Sequence, residues 1–258
     1  MTCHLKRAFF AVNPYKQAIL ENSKFINQVS IDCVIFGFEE NELKVLIPKI
    51  NFSGDFYALP SGFIYQEEDI ENAAKRILEE RTGLKEIYME QFKVFGKANR
   101  KRQEFMDELI SKNYIDNIEE VKKNPGYAWF TNRFISIGYY ALVNIKDVKP
   151  RLSAIDQSFQ WYNIDQAPEL IMDHPEVLKE ALKALREDID TKFNVFHLLP
   201  EKFTMREVQD AYETIFEKEF VRTNFQKKIL SMDVLERLEK KFTGAKNKAP
   251  YLYRLKSE

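Results

Sequence analysis

The chain has 258 residues, 45% of them hydrophobic and 31% charged, with 39 Lys and Arg against 40 Asp and Glu. That balance suits one large domain, or a medium and a small one, and 14% aromatic content excludes wholesale disorder. No apolar run approaches the ~20 residues of a membrane span, residues 8–12 are too short an apolar patch for a signal-peptide core, and Cys3 and Cys33 make neither a disulfide framework nor a zinc cluster. A cytoplasmic protein with no membrane association is expected.

After an N-terminal extension (1–27), residues 29–38 are β-branched and aromatic and predict a strand, with 43–48 returning as its hairpin partner. Residues 56–64 form another extended stretch, broken by Pro60 and Gly62. From Glu67 the period changes: Ile70, Ala73, Ala74, Ile77 and Leu78 form the stripe of an amphipathic helix that stops at Gly83. Strands follow at about 87–96, 134–144 and 159–163. Between the first two of these, the charged segment 100–131 predicts two short helices before a turn at Asn124-Pro125-Gly126. Asp173-His174-Pro175-Glu176 resembles a capping box opening a helix to about Ile189.

The last third changes character. Thr204-Met205-Arg206-Glu207 is a second capping box, opening a helix with Val208, Ala211, Tyr212 and Ile215 on one face. A turn at Lys218-Glu219 leads to a helix over 222–230, with Phe225, Ile229 and Leu230 inward. Val234-Leu235 and Tyr251-Leu252-Tyr253 then bracket a basic loop. Helix, turn, helix and a basic-tipped hairpin make a winged-helix pattern, in which the second helix enters the major groove. Charge agrees. From Val221 to Lys256 ten Lys or Arg face only Asp233, Glu236 and Glu239, so this tail is +7 and the remainder −8.

Gly62, Glu68, Arg76, Leu78, Glu80, Gly83 and Leu84 match the spacing of the Nudix box, G-x5-E-x7-R-E-U-x-E-E-x-G-U with U apolar, at seven of nine specified positions. The chain therefore resembles the Nudix superfamily over this loop–helix–loop. Nudix hydrolases hold Mg²⁺ or Mn²⁺ with three helix carboxylates at i, i+3 and i+4. The corresponding residues here are Ile77, Glu80 and Arg81, a hydrocarbon, one carboxylate and a cation. Glu80 is expected to pair with Arg76 or Arg81, and Glu68 is either a surface residue or a remnant metal contact. No metal, no cofactor and no catalytic residue is expected.

A metal-free Nudix domain before a winged helix resembles the Nudix-related transcriptional regulators. Residues 31–38, Tyr139-Tyr140-Ala141-Leu142, Asp173-His174-Pro175-Glu176, 198–204 and Asn224-Phe225-Gln226-Lys227-Lys228 carry that resemblance. It is nearest the arabinose-responsive, sugar-utilisation type; another branch senses ADP-ribose. The resemblance implies an α+β fold: a Nudix α/β/α sandwich with a mixed sheet (28–190, with an extra segment at 100–131), then a winged helix-turn-helix domain (191–258). It also implies a homodimer on a palindromic operator of double-stranded DNA, with a small-molecule effector, a pentose before ADP-ribose, altering DNA affinity. Two departures stand out: Ser61 replaces a glycine usual before Gly62, and the 100–131 segment is unusually long.

Arg222, Thr223, Asn224, Gln226, Lys227 and Lys228 are the recognition-helix candidates, Arg and Gln for base edges and Lys for phosphate. Thr204 and Arg206 could hold a phosphate at the preceding helix's N-terminus, and Lys246, Asn247 and Lys248 form the wing tip. For the effector, Asp32, Lys49, Tyr57, Arg133, Tyr139 and Trp161 lie on expected strands or strand ends around the former substrate cleft, although aromatics at such positions commonly serve the core. The alternative function is a divergent hydrolase of an ADP-ribose-like diphosphate, with Glu79 or Glu67 supplying a replacement carboxylate. A metabolite-binding adaptor without a DNA role is a third reading, disfavoured by the basic helix.

Overall fold

In the computed structural model, residues 25–100, 102–113, 118–123, 125–148, 152, 155–192, 194–241 and 249–256 are described. The β-branched, aromatic run predicted as a strand forms β1 (Phe25–Glu39), which turns through Glu40 and Asn41, both at positive φ, into β2 (Glu42–Ile50). A short β3 (Ser61–Tyr65) pairs antiparallel with β1. On its other side β1 runs parallel to β5 (Ile135–Asn144), and β4 (Tyr88–Phe95) is antiparallel to β5. With β6 (Asp156–Asn163) on β2, the strand order is β4-β5-β1-β2-β6, with β3 attached to β1. The sheet is mixed, as expected.

Side chains alternate across a strand, so β1 feeds two cores. Ile31, Cys33 and Ile35 face helix α1 (Ile70–Thr82), which contributes Ala73, Ala74, Ile77 and Leu78. Val34 and Phe36 share the opposite cluster with Val177, Leu178, Ala181 and Leu185. Those four lie on a second long helix, α5 (His174–Asp188), which three short helices precede. The result is a helix–sheet–helix sandwich.

The 100–131 insertion holds α2 (Gln103–Asn113), α3 (Ile118–Lys122) and α4 (Pro125–Thr131), followed after β6 by α5 (His174–Asp188). Sequence reasoning placed a turn where α4 begins. Proline at a first helical position costs no hydrogen bond and presets φ, so Pro125 starts a helix there. Three other expectations shift. Residues 56–60 form no strand, with Tyr57 making only isolated bridges to Lys49 and Leu170, because Pro60 lacks a ladder donor. Ile70, expected on the apolar stripe of α1, is the helix's first residue and lies exposed. Asp173 precedes α5 but makes no side-chain cap, its carboxylate being taken by Arg100.

The C-terminal unit contains β7 (Phe203–Thr204), α6 (Met205–Phe216), α7 (Arg222–Ser231), β8 (Leu235–Lys240) and β9 (Tyr251–Leu255), with strands in the order β7-β9-β8. Here the capping box is present: Thr204 accepts from the Glu207 amide while Glu207 reaches back to the Thr204 amide. Val208, Ala211, Tyr212 and Ile215 of α6 bury against Phe225 and Ile229 of α7. Leu230 departs from expectation and lies exposed. No separate core exists for this unit among the described residues: its apolar side chains belong to the cluster that includes Val34, Phe36 and α5. Thr214 Oγ1 also donates to the Asn41 carbonyl at 2.9 Å, tying α6 to the β1–β2 turn.

Candidate functional site

The helix that matches the Nudix box is built as a structural element. Arg76 donates from Nε to Glu68 Oε2 at 2.9 Å, from Nη2 to the Phe63 carbonyl at 2.8 Å and from Nη1 to Glu80 at 3.0 Å. Glu68 also accepts from the Tyr65 amide, and the Arg76 guanidinium with that amide holds its carboxyl below the usual range despite partial burial. Glu68 is thus neither a bare surface carboxylate nor a free one. Ile77 is 1% exposed within the α1-side core, under Gly62. A Cβ at Gly62 would come within 2.7 Å of the Ile77 side chain, so glycine is needed for this close approach. Arg81 is buried and bonds to the equally buried Asp156 at 2.6 Å. The three positions that hold metal in Nudix hydrolases therefore present a packed isoleucine, a Glu80 paired with Arg76, and an arginine neutralised by Asp156.

Above β3 lies a cavity of about 120 Å³. Its floor includes Ser61, Gly62 and Phe63, and its roof is the insertion, through Phe105, Met106, Leu109, Tyr127 and Phe130. The wall is largely apolar, with Arg81, Arg102 and His174 among the few charged or titratable residues. Behind His174 is a buried polar cluster. Asp32, fully buried, accepts from Ser136 Oγ and from Arg100 Nη2 at 3.3 Å, and Arg100 Nε donates to Asp173 at 2.6 Å. His174 Nδ1 accepts from the Leu59 amide at 2.9 Å, and Nε2 stands 3.9 Å from Asp32 Oδ1. Burial pushes the His174 pKa down, so the ring is neutral near pH 7.

The six expected effector residues are not brought together around this cavity. Asp32 sits one residue behind its wall, beyond His174. Lys49 is paired with Asp55 at 2.8 Å and lies 5.6 Å from the Tyr57 ring, which in turn packs against Tyr162. Arg133 donates to the Gly96 carbonyl in an exposed loop. Tyr139 is buried on the α1 side with its hydroxyl toward Gln91, and Trp161 packs on that side as well. These aromatics went to the core because period-two alternation turned them to the sheet face opposite the cavity. Cys33 lies in the same core, its thiol pushed up to about 12 by burial, and is inert.

On α7, Arg222, Thr223, Asn224 and Lys227 are exposed and Gln226 is half-buried, on a helix with no acidic residue. Lys228 behaves differently. It pairs with Asp190 at 2.6 Å and lies 5.4 Å from the Tyr212 ring, directed back toward the body of the protein. Thr204 is buried and committed to its cap: its amide donates to the Glu207 carboxylate and the Glu207 amide donates to its Oγ1, so two amides that a phosphate would have used are taken. We expect Thr204→Ala to cost about 1 kcal/mol of stability through the lost cap, read by urea denaturation. An unchanged midpoint would remove the cap as its role. Arg206 is exposed but leans on Asp210 at 2.7 Å. Lys246, Asn247 and Lys248 lie outside the described residues. At the base of the wing, Arg237 and Lys240 bracket the exposed Tyr251 ring at 4.6 and 5.4 Å.

Comparison with known proteins follows the same division. Residues 195–255 match the NrtR DNA-binding winged helix domain. The crystal structure of Shewanella oneidensis NrtR superposes with a TM-score of 0.66 at 22% identity, over 89% of this chain and 94% of that one. A MutT/nudix family protein from Enterococcus faecalis gives a TM-score of 0.64 at 15% identity, over 99% of both chains. The fold is a Nudix domain joined to a winged helix. Similarity to the ADPR responsive transcriptional repressor NtrR of Acinetobacter baylyi extends over 88% of this chain and 81% of that protein, at 26% identity. The Shewanella protein has also been crystallised with a 27mer DNA, and that structure gives a TM-score of 0.63 at 21% identity, over 89% and 94% of the two chains.

Several residues of the Nudix domain's cavity escaped sequence reasoning. His174 read as part of a helix start, although its neighbour Asp173 has no capping role. The apolar spacing of Phe105, Leu109 and Ile110 did signal a helix, and its apolar face is the cavity roof. Asp156 gave no signal at all, since only the fold brings it to Arg81, 75 residues away.

Proposed function

We propose that this protein is a DNA-binding transcriptional regulator whose Nudix domain receives an ADP-ribose-type effector and does not hydrolyse it. The observation that carries the reading is helix α7: an exposed, acid-free face led by Arg222 and Lys227, in a unit matching the NrtR DNA-binding winged helix domain. The protein acts in the cytoplasm as a homodimer, placing two α7 helices on the half-sites of a palindromic operator. Arg222, Thr223, Asn224 and Gln226 supply base or backbone contacts, Lys227 a phosphate contact, and Arg206 and the wing residues Lys246, Asn247 and Lys248 flanking contacts.

ADP-ribose takes the place of the pentose expected from sequence for two reasons. The Acinetobacter relative is described as ADPR responsive. A free pentose carries hydroxyls on both faces, and burying them against the mostly apolar wall would leave them without partners. Hydrolysis is disfavoured by the packed Ile77 and the Arg81–Asp156 pair, which leave no set of carboxylates for a hard cation on α1.

Helix α5 links the two ends of this mechanism. It starts at His174 on the cavity wall and ends beside the winged helix, where Arg186 Nε donates to the Ile215 carbonyl at 2.6 Å and Asp190, just beyond, holds Lys228. An effector that binds one position of α5 more tightly than another shifts the paired recognition helices, and only such differential affinity can do so. Selection of bound fragments from genomic DNA, followed by fluorescence anisotropy with ADP-ribose and a pentose panel, tests the proposal. A palindromic site whose affinity changes with ADP-ribose is expected. Absence of sequence preference at low and moderate salt would sink the regulator reading, and a response to a pentose alone would replace the effector.

A further inference from the structure

Val221 is the most exposed large apolar side chain among the described residues, at 67%. Lone exposed apolar residues are common on surfaces, but this one holds a position where the fold has a use for something else. It is the N-cap of α7: its carbonyl accepts from the Phe225 amide at 2.9 Å, and its side chain makes no cap. Ser, Thr, Asp or Asn in that place would satisfy a first-turn amide, as Thr204 does on α6. Nor does the isopropyl group pack, for it belongs to none of the apolar clusters of the described residues. The side chain thus serves local stability neither by burial nor by capping.

Its neighbours indicate what it faces. Val221 begins a run of four exposed residues, continued by Arg222, Thr223 and Asn224, at the leading end of a helix without acidic residues. Those three offer a cation and hydrogen-bonding groups, suited to phosphates and to the polar edges of bases. In a helix-turn-helix unit the N-terminal residues of the second helix are the ones that reach base edges. The major groove presents one hydrocarbon there, the C5-methyl group of thymine. Valine is branched at Cβ and restricted in χ1, so its methyl groups are presented with little entropy left to lose.

We infer that Val221 reads sequence: its isopropyl group packs on the C5-methyl of one thymine in each half-site of the operator. The inference rests on the DNA-binding reading above and adds a base identity to it. The cap is forgone so that the helix end presents hydrocarbon beside Arg222, and cytosine at that step, which lacks the methyl, is disfavoured.

Deoxyuridine differs from thymidine only by that methyl. Operator duplexes with deoxyuridine at one thymine position of the half-sites in turn are titrated with the full-length protein by fluorescence anisotropy. One position is expected to weaken binding about fourfold for each half-site substituted, the factor given by burying one methyl group. Val221→Ala is expected to weaken the thymine operator by a similar factor and to bind its deoxyuridine form no more weakly. Leu230→Ala, which trims another exposed apolar side chain at the far end of α7, is expected to keep the full deoxyuridine effect. Val221→Ser separates reading from folding: it is expected to raise the urea midpoint by supplying a cap while lowering operator affinity. The inference is overturned if Val221→Ala abolishes the deoxyuridine effect at no position, or if Leu230→Ala abolishes it equally. A change in sedimentation with unchanged operator affinity would also overturn it, making Val221 a contact between copies. The two readings fail distinguishably. Specific operator binding without such a position removes the Val221 assignment alone, whereas absence of any sequence preference removes the regulator and the assignment with it.

Discussion

Arg81→Ala is expected to destabilise the protein by about 3–5 kcal/mol, because it takes the guanidinium away from a buried carboxylate, that of Asp156. Asp156 has no exposed side-chain surface and Arg81 only 7%, so neither water nor salt substitutes for the lost 2.6 Å contact. A typical domain has about 5–15 kcal/mol in total, so this change alone approaches global unfolding. Removing both charges tells a different story. A well-packed apolar replacement of a buried pair is often neutral or better, so Arg81→Met with Asp156→Leu is expected to recover most of the loss. Urea denaturation of the parent, the single and the double variant measures both numbers. A single variant as stable as the parent would show that the pair contributes nothing. The same contact explains why Arg81→Glu is not a route back to a metal site. It sets a second carboxylate against Asp156, and Ile77→Glu would bury a third group in the α1-side core.

Arg222→Ala combined with Lys227→Ala is expected to reduce operator affinity about 100-fold or more while leaving the fold intact. A base contact by arginine is worth about 1–3 kcal/mol, and a phosphate contact by lysine adds a term that salt weakens. Both residues are exposed on α7, and neither makes an ion pair among the described residues, so their loss removes DNA contacts without uncovering a buried partner. Anisotropy titrations at several salt concentrations separate the two. Lys227→Ala alone is expected to lower the salt slope by about one and to weaken all sequences alike. Lys228→Ala is the informative control, since its Asp190 partner places it against the rest of the protein. It is expected to leave the salt slope nearly unchanged. Undiminished operator affinity in the double variant would remove α7 as the reading helix.

Local signals in the sequence were reliable wherever neighbours in the chain decide the structure. The stripe of α1, its stop at Gly83 in the left-handed region, and the Thr204–Glu207 box all depend on residues within a few positions of one another. So did the exchange of Glu for Ile77 and Arg81. The cavity was legible only as a region. Its lining comes from β3, the inserted helices and the start of α5, and which strand face each residue takes depends on register with partners far along the chain. Tyr139 and Trp161 pack on the α1 side of the sheet and do not line the cavity. Thr204 and Lys228 were polar residues beside an expected interface, but each was already engaged, one by its own helix and one by Asp190. Competition of this kind is invisible in a linear pattern.

The apolar cluster that runs without interruption from Val34 and Phe36 through α5 to Phe225 and Ile229 has a mechanical consequence. Many regulators hang a reading head from a flexible tether, and the sensor then influences only how often two heads meet. Here the C-terminal unit has no core of its own among the described residues, and the side chains beneath α7 belong to the cluster that also covers one face of the central sheet. The pitch of α7 is accordingly set by the sheet and α5, much as a gear tooth is set by its hub. Grafting the C-terminal unit onto another domain would require grafting the face it rests on.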